Sequence, residues 1–276
     1  MPELPEVETT RRHLAAALEG ASITRVQLRR DRMARRNHRP ADVVDRLTGR
    51  KVAAVGRLGK FIVIDVEGDL RWVIHLGMSG RIRIVDTVEP LEVHANLVVD
   101  LDSGREIRLI DPRTFGFVAV WTPEEWDAST MTGIGRDALV DPPSAGELVG
   151  AFANRTAPIK ALLLDQRILA GLGNIYADEV LIRAGVHPRR PAGRLTRSEI
   201  TKLHDAIGPV LEAGIQHGGT SLDDLAYLLP DGRAGEYLSR LWAYGRTGQP
   251  CPVCATPIER TIVAQRSSHF CPRCQT

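Results

Sequence analysis

The sequence predicts an α+β fold, in which an N-terminal helix and a β-sandwich precede a helical half and a short terminal β-hairpin. Three observations lead to this prediction. Short apolar runs separated by turn residues occupy the first half, helical patterns bounded by glycine and proline occupy the second, and all four cysteines lie in residues 251–274. With 276 residues, the chain is long enough for roughly two domains of ordinary size.

The first element is a helix from Pro2 to Leu18. Residues at helical spacing along it are Leu4, Val7, Thr10, Leu14 and Leu18. If Met1 is removed, Pro2 becomes a secondary amine; an α-amino group titrates near about pH 8, and the helix dipole favours its neutral, nucleophilic form. Glu3 and Glu6 lie on one face beside this amine and could exchange protons with it. The alternative is an ordinary amphipathic helix with acidic residues at its positive end.

Eight short strands follow and form the predicted sandwich or flattened barrel. Gly-, Asp- and Ser-rich turns separate the apolar runs, as is typical of this architecture. The runs are Ile23–Leu28, Val52–Val55, Phe61–Val66, Leu70–His75, Arg81–Val85, Leu97–Leu101, Glu106–Ile110 and Phe117–Trp121.

The second half is predicted to be helical. Prolines and glycines between 131 and 150 indicate a hinge or linker. Three helices follow: Ile159–Ala170, Ile175–Ala184 capped by Asn174, and Thr196–Gln216 with a Thr-x-x-Glu capping box. The glycine-rich turn before Asn174 is compatible with a nucleic-acid-binding helical hairpin, although most helical hairpins bind nothing.

The cysteines form two C-x-x-C pairs, Cys251/Cys254 and Cys271/Cys274, separated by sixteen residues. This spacing predicts one tetrahedral, structural Zn²⁺ held on a hairpin, with disulfides as the alternative and His269 as a weaker competing ligand. Nearby arginines suit phosphate contacts, namely Arg260, Arg266 and Arg273.

Charge points to a polyanionic partner. The net charge is only +2, but residues 25–60 hold twelve Arg or Lys against three Asp. Such a block favours binding to a polyanion, with a solvated surface as the alternative. No apolar run approaches the ~20 residues of a membrane span and the start lacks a secretory pattern, so we expect an intracellular protein with no membrane partner.

Several motifs, in order along nearly the whole chain, resemble those of the formamidopyrimidine-DNA glycosylase family. They are residues 2–8 (PELPEVE), 58–61 (LGKF), 75–80 (HLGMSG), 111–116 (DPRTFG), 163–166 (LLDQ), 171–179 (GLGNIYADE) and 244–246 (YGR), together with the cysteine hairpin. The resemblance implies a bifunctional repair enzyme that excises 8-oxoguanine and formamidopyrimidines and then cleaves the DNA backbone by β,δ-elimination.

The resemblance also implies roles for individual residues. Pro2 would be the Schiff-base nucleophile, Glu3 the proton donor, Glu6 a proton shuttle, and Lys60 a phosphate contact with a possible part in elimination. The DNA-binding residues would be His75, Met78, Arg113, Phe115, Asn174, Tyr244 and Arg266. Among these, Asn174 and Arg266 would hold phosphates, whereas Met78, Arg113 and Phe115 would fill the gap left by an everted base.

The implied organisation has four parts: a catalytic domain over 1–130, a linker over 131–150, a helix-two-turn-helix domain over 151–240, and a zinc finger over 241–276. A loop over 217–237, rooted at Gly218 and Gly219, would cap the lesion. We expect one structural Zn²⁺, a double-stranded DNA partner that contains an oxidised base, a monomeric state, and a bacterial cytoplasmic, nucleoid-associated location.

Two departures from the family pattern affect specificity or the zinc turn. The capping loop has an aliphatic run over 225–230 where polar residues are expected, and Ala255 replaces a common glycine. Two alternatives remain. The sister enzyme endonuclease VIII typically has glycine where this chain has Leu4, and a non-catalytic DNA-binding module would need neither a free Pro2 nor paired carboxylates.

Overall fold

The structure, a computed structural model, describes residues 2–222 and 227–276. The chain divides into two compact units. The first contains the residues up to Thr132 together with His217–Leu238, and the second contains Gly133–Gln216 together with Ser239–Thr276. The expected 151–240 domain therefore has a segment, 217–238, that packs within the first unit, because its backbone and side chains bond to the first helix.

The first unit contains the N-terminal helix α1 (Leu4–Leu18), eight strands and two short helices. The strands are β1 (Ile23–Leu28), β2 (Val52–Leu58), β3 (Phe61–Val66), β4 (Leu70–His75), β5 (Arg81–Asp86), β6 (Ala95–Leu101), β7 (Arg105–Ile110) and β8 (Phe117–Trp121). The short helices are α2 (Asp42–Leu47) and α3 (Pro123–Asp127). All eight predicted strands are confirmed, and the helices α2 and α3 were not predicted.

The strands form two four-stranded antiparallel sheets, ordered β1-β6-β7-β5 and β2-β3-β4-β8. The apolar side chains of both sheets and of α1 make one core, which includes Leu14, Ile64, Trp72, Val99 and Leu109. Alternating burial along strands such as β3 places one face of each sheet in this core. The sandwich thus holds the N terminus of α1 on a rigid support.

The second unit contains four α-helices and four strands. They are α4 (Ala145–Phe152), α5 (Ile159–Leu163), α6 (Asn174–Ala184), α7 (Arg197–Gln216), β9 (Arg136–Asp137), β10 (Leu169–Ala170), β11 (Glu259–Val263) and β12 (Arg266–Phe270). Strands β9 and β10 pair in parallel, and β11 and β12 form the antiparallel hairpin. The capping box that begins α7 is confirmed, since the Glu199 N–H donates to Thr196 Oγ1 at 3.3 Å and the Thr196 N–H donates to Glu199 Oε2 at 2.8 Å.

The predicted helix over 159–170 is wrong beyond Leu163. The Gln166 side chain ends it, because its amide donates to the Leu172 carbonyl at 2.9 Å and accepts the Gly171 N–H at 2.9 Å. These bonds stabilise a turn that competes with helical hydrogen bonds. The following residues then pair with β9 as strand β10.

The expected linker over 131–150 contains regular structure. It holds β9, and α4 begins at Ala145 behind a capping box in which Ser144 Oγ accepts the Glu147 N–H at 3.2 Å. The Ser-x-x-Glu signal for this helix is present in the sequence, but the prediction of a linker did not use it.

Among the described residues, no helix combines the length and the apolar character needed to cross a lipid bilayer.

Candidate active site and nucleic-acid interface

The candidate catalytic residues lie at the N terminus of α1. Glu3 is the N-cap, and its carboxylate accepts the Glu6 N–H, while Glu6 Oε2 accepts the Glu3 N–H at 2.8 Å. Both carboxylates are only 1% exposed, and Pro2 is also buried. This reciprocal cap holds the two carboxylates together beside Pro2. Met1, whose removal the expected role of Pro2 requires, lies outside the described residues.

The root of segment 217–238 contacts Glu6 directly. The Thr220 N–H donates to Glu6 Oε1 at 2.7 Å, and the Tyr227 hydroxyl donates to the Glu6 carbonyl at 3.3 Å. Gly219 has φ +82°, and a Cβ there would lie 2.8 Å from Glu6 Oε1. Glycine is therefore required at this position by both backbone conformation and space.

The apolar composition of the capping loop has a packing explanation. Residues 225 and 226 of the aliphatic run lie outside the described residues, but Tyr227, Leu229 and Pro230 are buried. Burial, followed by the nearby Glu6 carboxylate, raises the pKa of the Tyr227 hydroxyl well above its ordinary value. These side chains pack the base of the loop, which explains why they are not polar.

Lys60 and His75 lie at neighbouring ends of β3 and β4. Lys60 is in the turn between β2 and β3 and is 9% exposed, and His75 pairs with Phe61 across the sheet. The His75 ring stacks on Phe117 with centroids 5.5 Å apart. The Gly77 N–H donates to His75 Nδ1 at 3.2 Å, so the ring proton of a neutral His75 is on Nε2, ready to be donated.

His75 is expected to remain neutral throughout pH 5–8. Burial, followed by the positive charges of Lys60, Arg35 and Arg36, lowers its pKa to about 4. The ordinary pKa of histidine is about 6.5, so as pH falls the unfolded chain binds this proton before the folded protein does. The contribution of neutral His75 to the free energy of unfolding is therefore complete above pH ~6.5 and is lost as pH falls towards 4. An NMR titration of the ring checks this, and a midpoint above about pH 5.5 would contradict the buried environment.

Two loops carry the predicted DNA-wedge residues, and Asp111 joins them. Its carboxylate, 1% exposed, accepts the Ser79 hydroxyl at 2.6 Å and the Gly116 N–H at 2.8 Å. The backbones of the two loops are closely packed at Gly77. A Cβ added there would lie only 2.4 Å from the Gly116 nitrogen. No role for Asp111 was predicted from the sequence, although an Asp-Pro pair after a strand is a turn signal that marks this position.

The side chains on these loops are exposed. Met78 is 36% exposed and Phe115 43%, although both are large and apolar. The Arg113 guanidinium lies over the Phe115 ring at 4.5 Å from its centroid. Arg35 supports the second loop by donating to the Phe115 carbonyl at 2.9 Å. Met78 and Phe115 are therefore not core residues, and their exposure on braced turns is compatible with the expected contact surface.

The basic block at residues 25–60 is partly structural. Besides Arg35, Arg46 pairs with Glu125, Arg39 pairs with Asp42, and Arg57 pairs with Glu8. These arginines satisfy carboxylates and carbonyls of the fold, so the polyanion surface inferred from local charge is smaller than the sequence count indicated.

In the second unit, Asn174 is the first residue of α6 rather than its cap. The N-cap is Gly173, and Asn174 Nδ2 donates to Ser267 Oγ at 3.3 Å. Asn174 Oδ1 is buried without a hydrogen-bond partner among the described residues. The expected capping role is therefore wrong, because the side chain is directed to the β-hairpin instead of the helix backbone.

Asp178 and Glu179 on α6 accept hydrogen bonds from groups outside the helix. Both are fully buried. Asp178 Oδ1 accepts Lys160 Nζ at 2.7 Å, and its Oδ2 accepts the His269 N–H at 2.8 Å. Glu179 accepts three consecutive backbone N–H groups at distances of 2.8–3.1 Å, those of Trp242, Ala243 and Tyr244. The two carboxylates fasten the hairpin and the segment before it to α6.

Tyr244 and Arg266 lie on this fastened region. The Tyr244 ring packs edge-on against His269 with centroids 5.0 Å apart. Arg266 is exposed and follows Ala264 and Gln265, which both have positive φ in the two-residue hairpin turn. A type I′ turn of this kind fixes the direction of the strand on which Arg266 begins.

The four cysteines form a metal site. Their Sγ atoms all lie within 4.8 Å of one another, with 3.4 Å between Cys254 and Cys271 and 4.0 Å between Cys251 and Cys274. A tetrahedral Zn²⁺ with Zn–S bonds of about 2.3 Å requires S···S distances of about 3.8 Å. The donor set therefore fits one structural Zn²⁺. His269 bonds to Asp178 and is not among the four clustered ligands.

Ala255 lies in the first zinc turn with φ +59°, where non-glycine residues are strained. Replacement by glycine is expected to stabilise the second unit by about 0.5–1 kcal/mol, because the left-handed strain is larger than the entropy that glycine adds to the unfolded chain. Thermal unfolding and chelator competition measure this. The matched control is Ala206→Gly within α7, which should destabilise by about 1 kcal/mol. A destabilised Ala255→Gly protein would contradict the strain argument.

Comparisons with known proteins agree with these features. Residues 1–118 match the family model described as the formamidopyrimidine-DNA glycosylase N-terminal domain, residues 134–225 match that of its H2TH domain, and residues 248–276 match a zinc finger found in FPG and IleRS. The formamidopyrimidine-DNA glycosylase of Rhizorhabdus wittichii is 44% identical over 278 residues, which cover 100% of both chains.

Solved structures are similar over the same extent. The crystal structure of MutM (Fpg) from Thermus thermophilus has a TM-score of 0.88 and 39% identity, and covers 99% of this chain and 98% of that one. Wild-type Lactococcus lactis Fpg bound to DNA with N7-benzyl-Fapy-dG has a TM-score of 0.91 and 32% identity, with 100% of both chains covered. A MutM complex with carbocyclic 8-oxo-G DNA has a TM-score of 0.90, 33% identity and the same coverage.

The fold and the site define a DNA-repair glycosylase with a zinc finger. The sandwich, the helical unit and the cysteine hairpin are each matched by relatives along the whole chain. The chain belongs to the formamidopyrimidine-DNA glycosylase family.

Proposed function

We propose that this protein is a bifunctional DNA glycosylase and abasic-site lyase that excises oxidised purines, 8-oxoguanine and formamidopyrimidines, from duplex DNA. The observation that carries the proposal is the N terminus of α1, where two buried carboxylates, linked by a reciprocal cap, adjoin Pro2 in the chain. The damaged DNA named for similar structures, N7-benzyl-Fapy-dG and carbocyclic 8-oxo-G, supports the substrate class.

Pro2 acts as the nucleophile once Met1 is removed. Its neutral nitrogen attacks the sugar C1′, the glycosidic C–N bond breaks with its electron pair, and the base leaves after taking up a proton. Opening of the sugar ring gives an iminium ion between Pro2 and C1′. Because proline is a secondary amine, this iminium has no N–H proton to lose, and its positive charge persists.

The iminium is the electron sink for strand cleavage. It acidifies the C2′ proton; after that proton is removed, the electron pair forms a C–C double bond and expels the 3′ phosphate. A second elimination removes the C4′ proton and expels the 5′ phosphate, and water then hydrolyses the remaining iminium to release the sugar fragment from Pro2. Glu3 donates a proton to the ring oxygen as the sugar opens, and Glu6 shuttles protons on the same helix face.

The remaining site residues hold the DNA. Lys60, His75, Asn174, Tyr244 and Arg266 contact the backbone, and charge-assisted bonds to phosphate dominate their contribution. The lesion must be turned out of the stack, which costs a few kcal/mol. Exposed Met78 and Phe115 wedge into the vacated space, and Arg113 bonds to the orphaned cytosine.

The other expectations are part of the same proposal. The segment 217–237 caps the everted base, with Gly218 and Gly219 at its root. The Zn²⁺ supplies no chemistry and holds the hairpin in shape when bound. The enzyme acts as a monomer in the bacterial cytoplasm, on nucleoid DNA.

Borohydride trapping tests the proposal. A duplex with 8-oxoguanine opposite cytosine is mixed with the protein and borohydride, and mass spectrometry locates the cross-linked residue. Reduction converts the iminium into a stable amine, so the expected result is one cross-link on Pro2. The matched control is an undamaged duplex of the same sequence, which should give none.

Three other outcomes discriminate among the alternatives. A cross-link only with an oxidised pyrimidine would reassign the substrate class to that of endonuclease VIII. A cross-link on a lysine would overturn the role of Pro2. Binding without a cross-link on any lesion would favour a non-catalytic DNA-binding module.

A further inference from the structure

Arg57 on β2 connects the catalytic helix with the turn that carries Lys60. Its side chain is only 2% exposed. Its Nε donates to Glu8 Oε2 at 3.0 Å, and its Nη1 donates to the Gly59 carbonyl at 3.0 Å. One buried guanidinium therefore bonds in two directions, to α1 on one side and to the turn on the other.

The bond to the turn fixes how Lys60 is presented. The Gly59 carbonyl belongs to the peptide unit that joins Gly59 to Lys60, and a peptide unit is planar. A donor that holds this oxygen therefore sets the orientation of the plane from which the Lys60 side chain departs. Gly59 itself has φ +55°, so the turn depends on a left-handed backbone conformation that glycine adopts without strain.

The bond to the helix fixes the other end. Glu8 is 6% exposed and lies on α1 beyond Glu6. Its burial acts to raise its pKa, but hydrogen bonds from Arg11, Arg12 and Arg57 outweigh burial and lower that pKa to about 2. Glu8 is therefore ionised at neutral pH, and its carboxylate is a fixed anchor on the same rigid helix whose first residues adjoin Pro2.

We propose that Arg57 is a positioning residue that, through Glu8 and the Gly59 carbonyl, holds Lys60 in register with the N terminus of α1. This inference rests on the proposed function, in which Lys60 contacts a phosphate beside the lesion. Arg57 is too buried to reach DNA, so any effect that it has on phosphate binding must pass through another residue.

The test uses the substitution Arg57→Lys. Lysine keeps the charge beside Glu8 but lacks the planar fork that reaches both partners at once. We expect about a tenfold slower single-turnover excision of 8-oxoguanine, which corresponds to about 1.4 kcal/mol of barrier. Affinity for a duplex that contains a tetrahydrofuran abasic analogue is measured at several salt concentrations. A plot of the logarithm of affinity against the logarithm of salt concentration should have a slope smaller in magnitude than that of the unsubstituted protein by about 0.9, which corresponds to one lost phosphate contact.

A double-mutant cycle with Lys60→Ala assigns the effect. If Arg57 acts through Lys60, the double variant should match Lys60→Ala within about twofold in rate. The reason is that Arg57→Lys can no longer displace the Lys60 ammonium group once that group has been removed. Arg12→Lys is the matched control: Arg12 also pairs with Glu8, at 2.9 Å, but is 58% exposed and, within the described part of the chain, makes no bond to the turn. Its rate and salt slope should be unchanged.

Additive effects in the cycle, or an unchanged salt slope for Arg57→Lys, would overturn the inference. If Arg57→Lys does not fold, Glu8→Gln replaces it, since this variant loosens the same anchor from the helix side and must show the same coupling to Lys60. Borohydride trapping of the unsubstituted protein distinguishes failure of the proposed function from failure of the role of Arg57. Without a Pro2 cross-link the proposed function itself fails; with the cross-link and an additive cycle, only the role of Arg57 fails.

Discussion

Residues added in front of Pro2 are expected to abolish base release and strand cleavage while DNA binding survives. An amide nitrogen has no free lone pair, so it cannot attack C1′ or form an iminium. Removal of an enzyme's nucleophile commonly costs about 10³-fold or more in rate. In the proposed function, binding depends instead on the phosphate contacts and the wedge loops, so affinity for a tetrahydrofuran duplex should stay within about tenfold, a change of no more than about 1.4 kcal/mol.

Single-turnover excision and borohydride trapping measure the loss, and filter binding or fluorescence anisotropy measures the affinity. The matched control carries the same added residues after Thr276. Its activity should be that of the unextended protein with Met1 removed. Base release at an undiminished rate by the N-terminally extended protein would exclude Pro2 as the nucleophile.

Substitution of Lys160 by methionine is expected to lower the free energy of unfolding of the second unit by about 3–5 kcal/mol, the cost of breaking a buried ion pair by removing one partner. Lys160 and Asp178 are both fully buried and lie 2.7 Å apart, and Lys160 Nζ also donates to the Ser267 carbonyl at 2.7 Å. Without the ammonium group, the Asp178 carboxylate would be an unbalanced charge in the interior, and one fastening of the hairpin would be lost.

Hydrogen exchange of the α6 and hairpin amides is the suitable measurement, because it reports the opening of this unit without requiring a single global transition. The control is Lys202→Met on the exposed face of α7, which should change stability by no more than about 0.5 kcal/mol. Unchanged protection of the hairpin in Lys160→Met would show that the buried pair contributes little.

Local patterns predicted most of the first unit. Alternation of apolar residues identifies a strand wherever one face of a sheet is buried, and all eight predicted strands of the sandwich are present. The capping box of α7 and the cysteine spacing are likewise local signals, and both hold in the structure. The pairing of Glu3 with Glu6 was inferred from helical spacing, and the reciprocal cap was not foreseen.

Long-range partners could not be predicted in the same way. Asp178 lies in the first turns of α6, and nothing in the local sequence shows that its carboxylate bonds to Ser268 and His269. The helix expected over 159–170 failed for the same reason, since Gln166 bonds across a turn that only the folded unit brings together. Arg57 lies in a strand whose alternation gives no indication that its neighbour is Glu8. Such contacts depend on which elements meet, and periodicity contains no information about that.

The fastening of the hairpin to α6 limits its use as an interchangeable module. The zinc finger over 248–276 matches a model shared by FPG and IleRS, which invites grafting it between proteins. Yet the Ser267 carbonyl and the His269 N–H are satisfied by Lys160 and Asp178, residues outside the finger. A graft that left these two side chains behind would carry its four cysteines intact but bury unsatisfied backbone groups in its new host. For this chain, the portable unit is the finger together with Lys160 and Asp178.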